Sequence, residues 1–270
     1  MDLLTKLAVL ALSAGLIMFA VRFLLVPGID RASQALNFSN KTRGQILGYA
    51  TSAPELVIVA SSAASGVYAA GFWNIASSNI INWALFLAAV IACRQYQDLN
   101  KKTFLEELGF GLLSVILPVI LYRSEIQSSV LLGVALLVVF ALYKILDRKL
   151  NTSVTVEKKG GHGNRNLQYG LFGASIGTLI IIVAGWHLGS IAENLVVELE
   201  VPAWMIGWIL GIISSLPEMR GFFEIFRKHK KADTLEGIED TQEALDALVA
   251  SNMSNLGIIL PVGIFIAALM

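Results

Sequence analysis

Residues 48–55 read G-Y-A-T-S-A-P-E, and residues 211–218 read G-I-I-S-S-L-P-E. Each has a later echo, I-A-S-S-N-I-I-N at 75–82 and L-V-A-S-N-M-S-N at 248–255. All four pieces lie in apolar stretches. A glutamate directly after a proline, ringed by hydroxyls and occurring twice, is hard to explain by packing alone. A carboxylate inside hydrocarbon is costly and marks a functional site. Two in matching settings point to one ion site built from both halves of a transporter.

Composition agrees. The chain is 56% hydrophobic and 15% charged, with a mean hydropathy of +0.69. Soluble domains carry about 25% charged residues. Apolar runs of roughly 20 residues, enough to cross a bilayer, recur along the whole length. No period-two alternation suggests a barrel, and an open sheet could not satisfy its backbone in lipid. The fold class expected is all-α, a polytopic membrane protein. Cys93 is the only cysteine, so no internal disulfide can form. The first apolar run exceeds the ~7–15 residues of a signal-peptide core and reads as a retained span.

About eight spans are expected. They cover residues 4–27, 42–70, 73–93, 104–122, 128–147, 169–195, 203–227 and 242–270. The polar stretch 151–168, with Gly160, Gly161 and Gly163, reads as a mobile linker. It divides the chain into a five-span repeat, 1–150, and a three-span repeat, 169–270. An odd number of spans before the linker inverts the second repeat relative to the first, as in many secondary transporters.

Loop charges set the orientation. One side collects Arg31, Lys41, Arg43, Arg94, Lys101, Lys102, Arg148, Lys149 and the basic residues of 158–165 and 227–231. The other holds Lys6, Arg123, Glu125, Glu198 and Glu200. The basic side is expected in the cytoplasm and both termini outside, in a prokaryotic inner (plasma) membrane. The simplest role for these charges is orientation. No nucleic-acid partner is expected.

Pro54 and Pro217 each remove a backbone donor and should break their helices, freeing upstream carbonyls. Thr51, Ser52, Ser214 and Ser215 supply neutral oxygens one turn before Glu55 and Glu218. Carboxylate, carbonyl and hydroxyl oxygens suit hard cations such as Ca²⁺ and Na⁺. Ser78 and Asn82 are four apart and share a helix face, and Ser251 and Asn255 repeat that spacing. Hydroxyls in spans also serve helix packing. The joint recurrence of S-x-P-E and S-N-x-x-N in corresponding spans favours a site.

These segments resemble the two α-repeats of the sodium/calcium exchanger family, within the cation/Ca²⁺ antiporter superfamily. The motifs cover roughly 44–83 and 207–256. The resemblance implies a ten-span inverted-repeat fold. It also implies alternating access, with the first span of each repeat sliding over a fixed core. Glu55 and Glu218 match the central cation-ligating glutamates. Thr51, Ser52, Ser78, Ser214, Ser215 and Ser251 match hydroxyl ligands. Gly48 and Gly211 match positions that offer carbonyls, and Asn82 and Asn255 match the amide-or-acid positions.

Three departures stand out. The chain ends at Met270, without counterparts of its fourth and fifth spans. A homodimer or an accessory subunit is therefore expected along the seventh and eighth spans. Asn255 stands where relatives carry aspartate, which leaves two carboxylates. Arg220 follows Glu218 by two residues. It either points away and pairs with Glu224 or acts as a tethered cation at the site. The segment from Lys230 to Gln242 lacks EF-hand periodicity and reads as a solvated connector.

The function expected is secondary cation antiport, Ca²⁺ against Na⁺. One alternative uses H⁺ as counter-ion. Another, of a different class, is a non-transporting membrane scaffold or sensor. No phosphate-binding loop, zinc cluster or nucleophile elbow is present, so no enzyme activity and no cofactor are expected.

Overall fold

The computed structural model describes residues 3–123, 129–150, 164–198, 200–231 and 238–270. All secondary structure among them is helical. The first span is α1 (Leu3–Ala20), a π turn (Val21–Leu25) and α2 (Val26–Ala35). The second is α3 (Asn40–Thr51) followed by α4 (Ala53–Ala64). The third is α5 (Tyr68–Ala92), the fourth α6 (Leu105–Arg123) and the fifth α7 (Val130–Leu150). The sixth is α8 (Asn164–Glu198), and the seventh is α9 (Ala203–Ser214) followed by α10 (Leu216–Lys231). The eighth runs through α11 (Glu239–Ser254), a π turn (Asn255–Ile259) and α12 (Leu260–Leu269).

Seven of these helical stretches are long and apolar enough to cross a membrane. The seventh span is the exception to the expected eight. It consists of the 12-residue α9 and the charged α10, L-P-E-M-R-G-F-F-E-I-F-R-K-H-K-K. Neither half alone reaches the length and apolarity of a span. Leu112, Ile116, Val134, Val138, Phe172 and Val183 are exposed on α6, α7 and α8, as lipid-facing side chains are.

The breaks fall where the prolines direct them, though not at the prolines themselves. Ser52 (φ −80°, ψ 2°) separates α3 from α4, and Ser215 (φ −82°, ψ −7°) separates α9 from α10. Pro54 and Pro217 sit at the second position of the new helices, where a missing N–H costs little. The eighth span also has a proline, Pro261, just after the π turn that begins at Asn255.

Close backbone approach organises the centre. α3 lies on α11 through Gly44 and Gly48. A Cβ at Gly44 would meet the Glu243 carbonyl oxygen at 2.5 Å, and one at Gly48 would collide with that of Ala247. α9 lies on α5 in the same manner. A Cβ at Gly207 would collide with Trp73, and one at Gly211 with Ser77 Oγ. Both short helices therefore carry small-xxx-small faces, which allow backbone contact in membranes. The first and sixth spans lie together similarly, with Gly28 against Ala174 N (2.6 Å from an added Cβ) and Gly177 against Leu25 N (3.0 Å). The crossings of α3 on α11 and of α9 on α5 are two copies of one arrangement.

Several loop assignments change. Residues 151–163 of the expected linker lie outside the described residues, as do 232–237 of the connector. The end of that connector is not solvated. Asp240 and Thr241 belong to the first turn of α11 and are fully buried, and Thr241 Oγ1 donates to Asp98 Oδ2 at 3.1 Å. Lys41 and Arg43 are not loop charges either. They stand in the first turn of α3, which Ser39 caps by accepting from Thr42 N at 3.1 Å. Lys41 pairs with Asp147, and Arg43 pairs with Asp30 and Glu243. These contacts, with Thr241–Asp98, bring the ends of α2 and α7, the segment after α5 and the starts of α3 and α11 together.

Candidate cation site

The two helix breaks meet at the centre of the bundle. Glu55 opens α4 and is fully buried, and Glu218 opens α10 and is 2% exposed. The two carboxyl groups are close enough for a charge on one to bear on the other. Ser214, at the end of α9, lies beside Glu55, and Thr51, at the end of α3, lies beside Glu218. Each glutamate is thus neighboured by a hydroxyl from the opposite repeat. Ser251 donates to Glu218 Oε1 at 3.3 Å and shares a 2.8 Å hydrogen bond with Ser52. Ser214 donates to Asn74 Oδ1 at 3.3 Å.

Buried polar atoms normally find partners. Here both oxygens of Glu55, Oε2 of Glu218, Oδ1 of Asn82, Oδ1 of Asn255 and Oγ of Ser215 have none. All are oxygens able to accept or coordinate, and they come from both halves of the chain. Among the described residues no group of three or more His, Cys, Asp or Glu could hold a metal by itself. The donor set is two carboxylates supplemented by neutral oxygens, which suits a hard, exchangeable cation better than a resident transition metal.

The expected carbonyl donors are engaged. Gly48 O accepts from Ser52 Oγ at 3.0 Å and Thr51 Oγ1 at 3.1 Å. Gly211 O accepts from Ser215 N at 3.1 Å and Ser214 Oγ at 3.4 Å. The freed backbone groups are satisfied by the neighbouring hydroxyls, and coordination there would need those hydroxyls to turn. Ser78 is likewise bonded, to Ile75 O at 3.1 Å, and accepts from Asn255 Nδ2 at 3.4 Å.

Two residues that sequence reasoning left unnamed hold the echoes together. Asn79 and Asn252 sit inside the S-N-x-x-N pattern. Asn255 Nδ2 donates to Asn79 Oδ1 at 2.9 Å, and Asn82 Nδ2 donates to Asn252 Oδ1 at 3.1 Å. Asn252 Nδ2 also donates to Asn79 O at 3.1 Å. The staple spends the amide N–H groups of Asn82 and Asn255 and leaves their carbonyl oxygens free. This accounts for an amide at position 255: an aspartate would present an oxygen to Asn79 Oδ1. Asn252→Ala should leave the buried Asn82 amide unpaired and cost about 1–3 kcal/mol, read as a lower melting temperature in detergent.

Arg220 is not at the site. It lines a cavity of about 370 Å³ with Arg22, Phe23, Pro27, Asp30 and Glu224. The expected pair with Glu224 is also absent. Glu224 faces Arg227 at 3.5 Å, one turn further on. A neighbouring cavity of about 300 Å³ is lined by Asp30, Arg43, Leu47, Gly221, Glu224 and Glu243. From there a gap of about 10 Å³, between Leu47, Phe222 and Ala247, touches Thr51 and Glu218. Space thus leads from the basic side almost to one glutamate. The equivalent seam on the other repeat is tight. There a Cβ at Gly185 would lie 3.2 Å from Val57 Cβ, and one at Gly189 would collide with Ser61 Oγ.

Buried carboxylates at two broken helices of a many-spanned membrane protein are an arrangement that secondary transporters use. The family model described as sodium/calcium exchanger protein matches residues 6–146, just over half the chain. The chain belongs to that family. The matched residues contain the first motif pair; the second lies beyond them. Solved structures of the sodium-calcium exchanger NCX_Mj share the fold. The form soaked with 100 mM Na⁺ and 10 mM Sr²⁺ aligns at TM-score 0.61 and 19% identity, covering 98% of this chain and 83% of that one. A form soaked with 10 mM Na⁺ and zero Ca²⁺ gives 0.60, 19%, 98% and 84%. A form with zero Na⁺ and Ca²⁺ gives 0.58, 21%, 100% and 84%. No curated protein matches the chain.

Proposed function

We propose that the chain is a secondary antiporter that exchanges Ca²⁺ for Na⁺ at the Glu55–Glu218 site by alternating access. Residues 1–150 and 169–270 act as the two inverted repeats. The observation that carries this reading is the set of partnerless buried oxygens on Glu55, Glu218, Asn82, Asn255 and Ser215. A divalent ion would satisfy them and neutralise both carboxylates. Two Na⁺ ions would neutralise them equally, so the ions compete and their fluxes couple. Ser52, Ser78, Ser214, Ser251 and Thr51 complete the shell, with Gly48 and Gly211 in reserve behind the hydroxyls. The cavity leading towards Glu218 supports a carrier resting with its basic side accessible.

The test is Ca²⁺ uptake into proteoliposomes under an imposed Na⁺ gradient or an imposed pH gradient. Uptake driven by outward Na⁺ and unaffected by pH is expected. Uptake driven by pH alone would replace Na⁺ with H⁺. No uptake under either gradient, with folded protein in the vesicles, would overturn antiport.

A further inference from the structure

Arg43 joins three elements at the mouth of the cavity that leads to Glu218. Its guanidinium lies 2.8 Å from Asp30 Oδ1 on α2 and 3.2 Å from Glu243 Oε1 on α11. The arginine side chain is 11% exposed, Asp30 28% and Glu243 0%, so solvent screens these bonds little. Asp30 belongs to the first span; Arg43 and Glu243 stand on the tightly apposed pair α3 and α11. Any slide of the first span over that pair has to break the Arg43–Asp30 bond and leaves Arg43–Glu243 intact. The second repeat has no equivalent. Aligning G-x-x-x-G of α3 with that of α9 places Ile206 opposite Arg43. The bond therefore acts on one end of the transport cycle only.

We propose that the Arg43–Asp30 ion pair is a latch that holds the first span in the cavity-open conformation and so sets which side the empty carrier faces. This rests on the alternating-access reading. The latch also places a fixed positive charge among Asp30, Glu224 and Glu243, the acidic lining of the cavity. The lining remains net negative, so it still attracts cations while Arg43 is in place.

Asp30→Asn tests the latch cleanly, because Arg43 keeps its buried partner Glu243. Arg43→Gln removes the Glu243 contact as well and serves only in the double-mutant cycle. The reporter is Gly221→Cys in a Cys93→Ser background. Gly221 lines both the cavity and the gap beside Glu218, and a Cβ there would find only Leu47 Cδ2, at 3.7 Å. The readout is the rate of labelling by a neutral maleimide in nanodiscs, which is insensitive to local charge. Asp30→Asn should slow labelling at least about threefold, and adding Arg43→Gln should slow it no further, as for two ends of one bond. Glu224→Gln removes the same charge from the same cavity. It breaks only a contact within α10 and should leave the rate within about twofold. Unchanged labelling of Asp30→Asn, or equal slowing by Glu224→Gln, would overturn the latch. If the antiport reading itself fails, wild type shows no gradient-driven uptake while labelling still responds to Asp30→Asn.

Discussion

Glu55→Gln and Glu218→Gln should each reduce Ca²⁺ affinity by at least about 100-fold, equivalent to roughly 2.7 kcal/mol, and abolish exchange. Each change keeps the shape of the side chain and removes one of two charges that face a cation in a dry site. The effect on the ion-free protein should have the opposite sign. Two buried carboxylates that repel each other are unfavourable, and replacing one by an amide relieves that cost. Melting temperature without ions should therefore stay level or rise, while the rise on adding Ca²⁺ disappears. A variant that melts lower without ions and still responds to Ca²⁺ would assign the glutamates a structural role.

Gly48→Val should be the most disruptive single substitution at the repeat crossings. Its Cβ would enter the Ala247 carbonyl and lie 2.9 Å from Ser251 N, both backbone atoms of α11 that cannot rotate away. The helices must separate, and Ser52 and Ser251 then part company. Overpacking of this kind costs about 3 kcal/mol or more and should remove the Ca²⁺-dependent stabilisation as well. Gly109→Val is the control. Nothing lies within 4 Å of a Cβ at Gly109, so the change should move stability by only a few tenths of a kcal/mol. Thermal unfolding in detergent, with and without Ca²⁺, reads both. Equal effects at the two positions would show that the crossing tolerates separation.

The centre of the molecule was legible because its signals are local and duplicated. Proline two residues after a serine marks a helix break, and glutamate directly after the proline needs a reason; both copies carry both features. The S-N-x-x-N echo even contained the staple, but nothing in one strand of letters says which asparagine reaches across and which turns its oxygen inward. The glycines were read as carbonyl donors. Their larger effect, allowing α3 to touch α11 and α9 to touch α5, depends on which helix arrives opposite. Lys41 and Arg43 were read as loop charges that orient the protein, yet they are ion-paired in the first turn of α3. Charge counting along a loop cannot see that Asp147 from α7 and Asp30 from α2 close over them. For the same reason Asp240 and Thr241 looked like connector and proved to be a buried helix start.

Equilibrium binding of radiolabelled Ca²⁺ to the purified wild-type protein, with Na⁺ as competitor, tests the central claim most directly. Saturable binding that Na⁺ displaces, and that is lost in Glu55→Gln and in Glu218→Gln, is the result the two-glutamate site requires. Absence of saturable binding in folded wild-type protein, or binding that survives both substitutions, would contradict it.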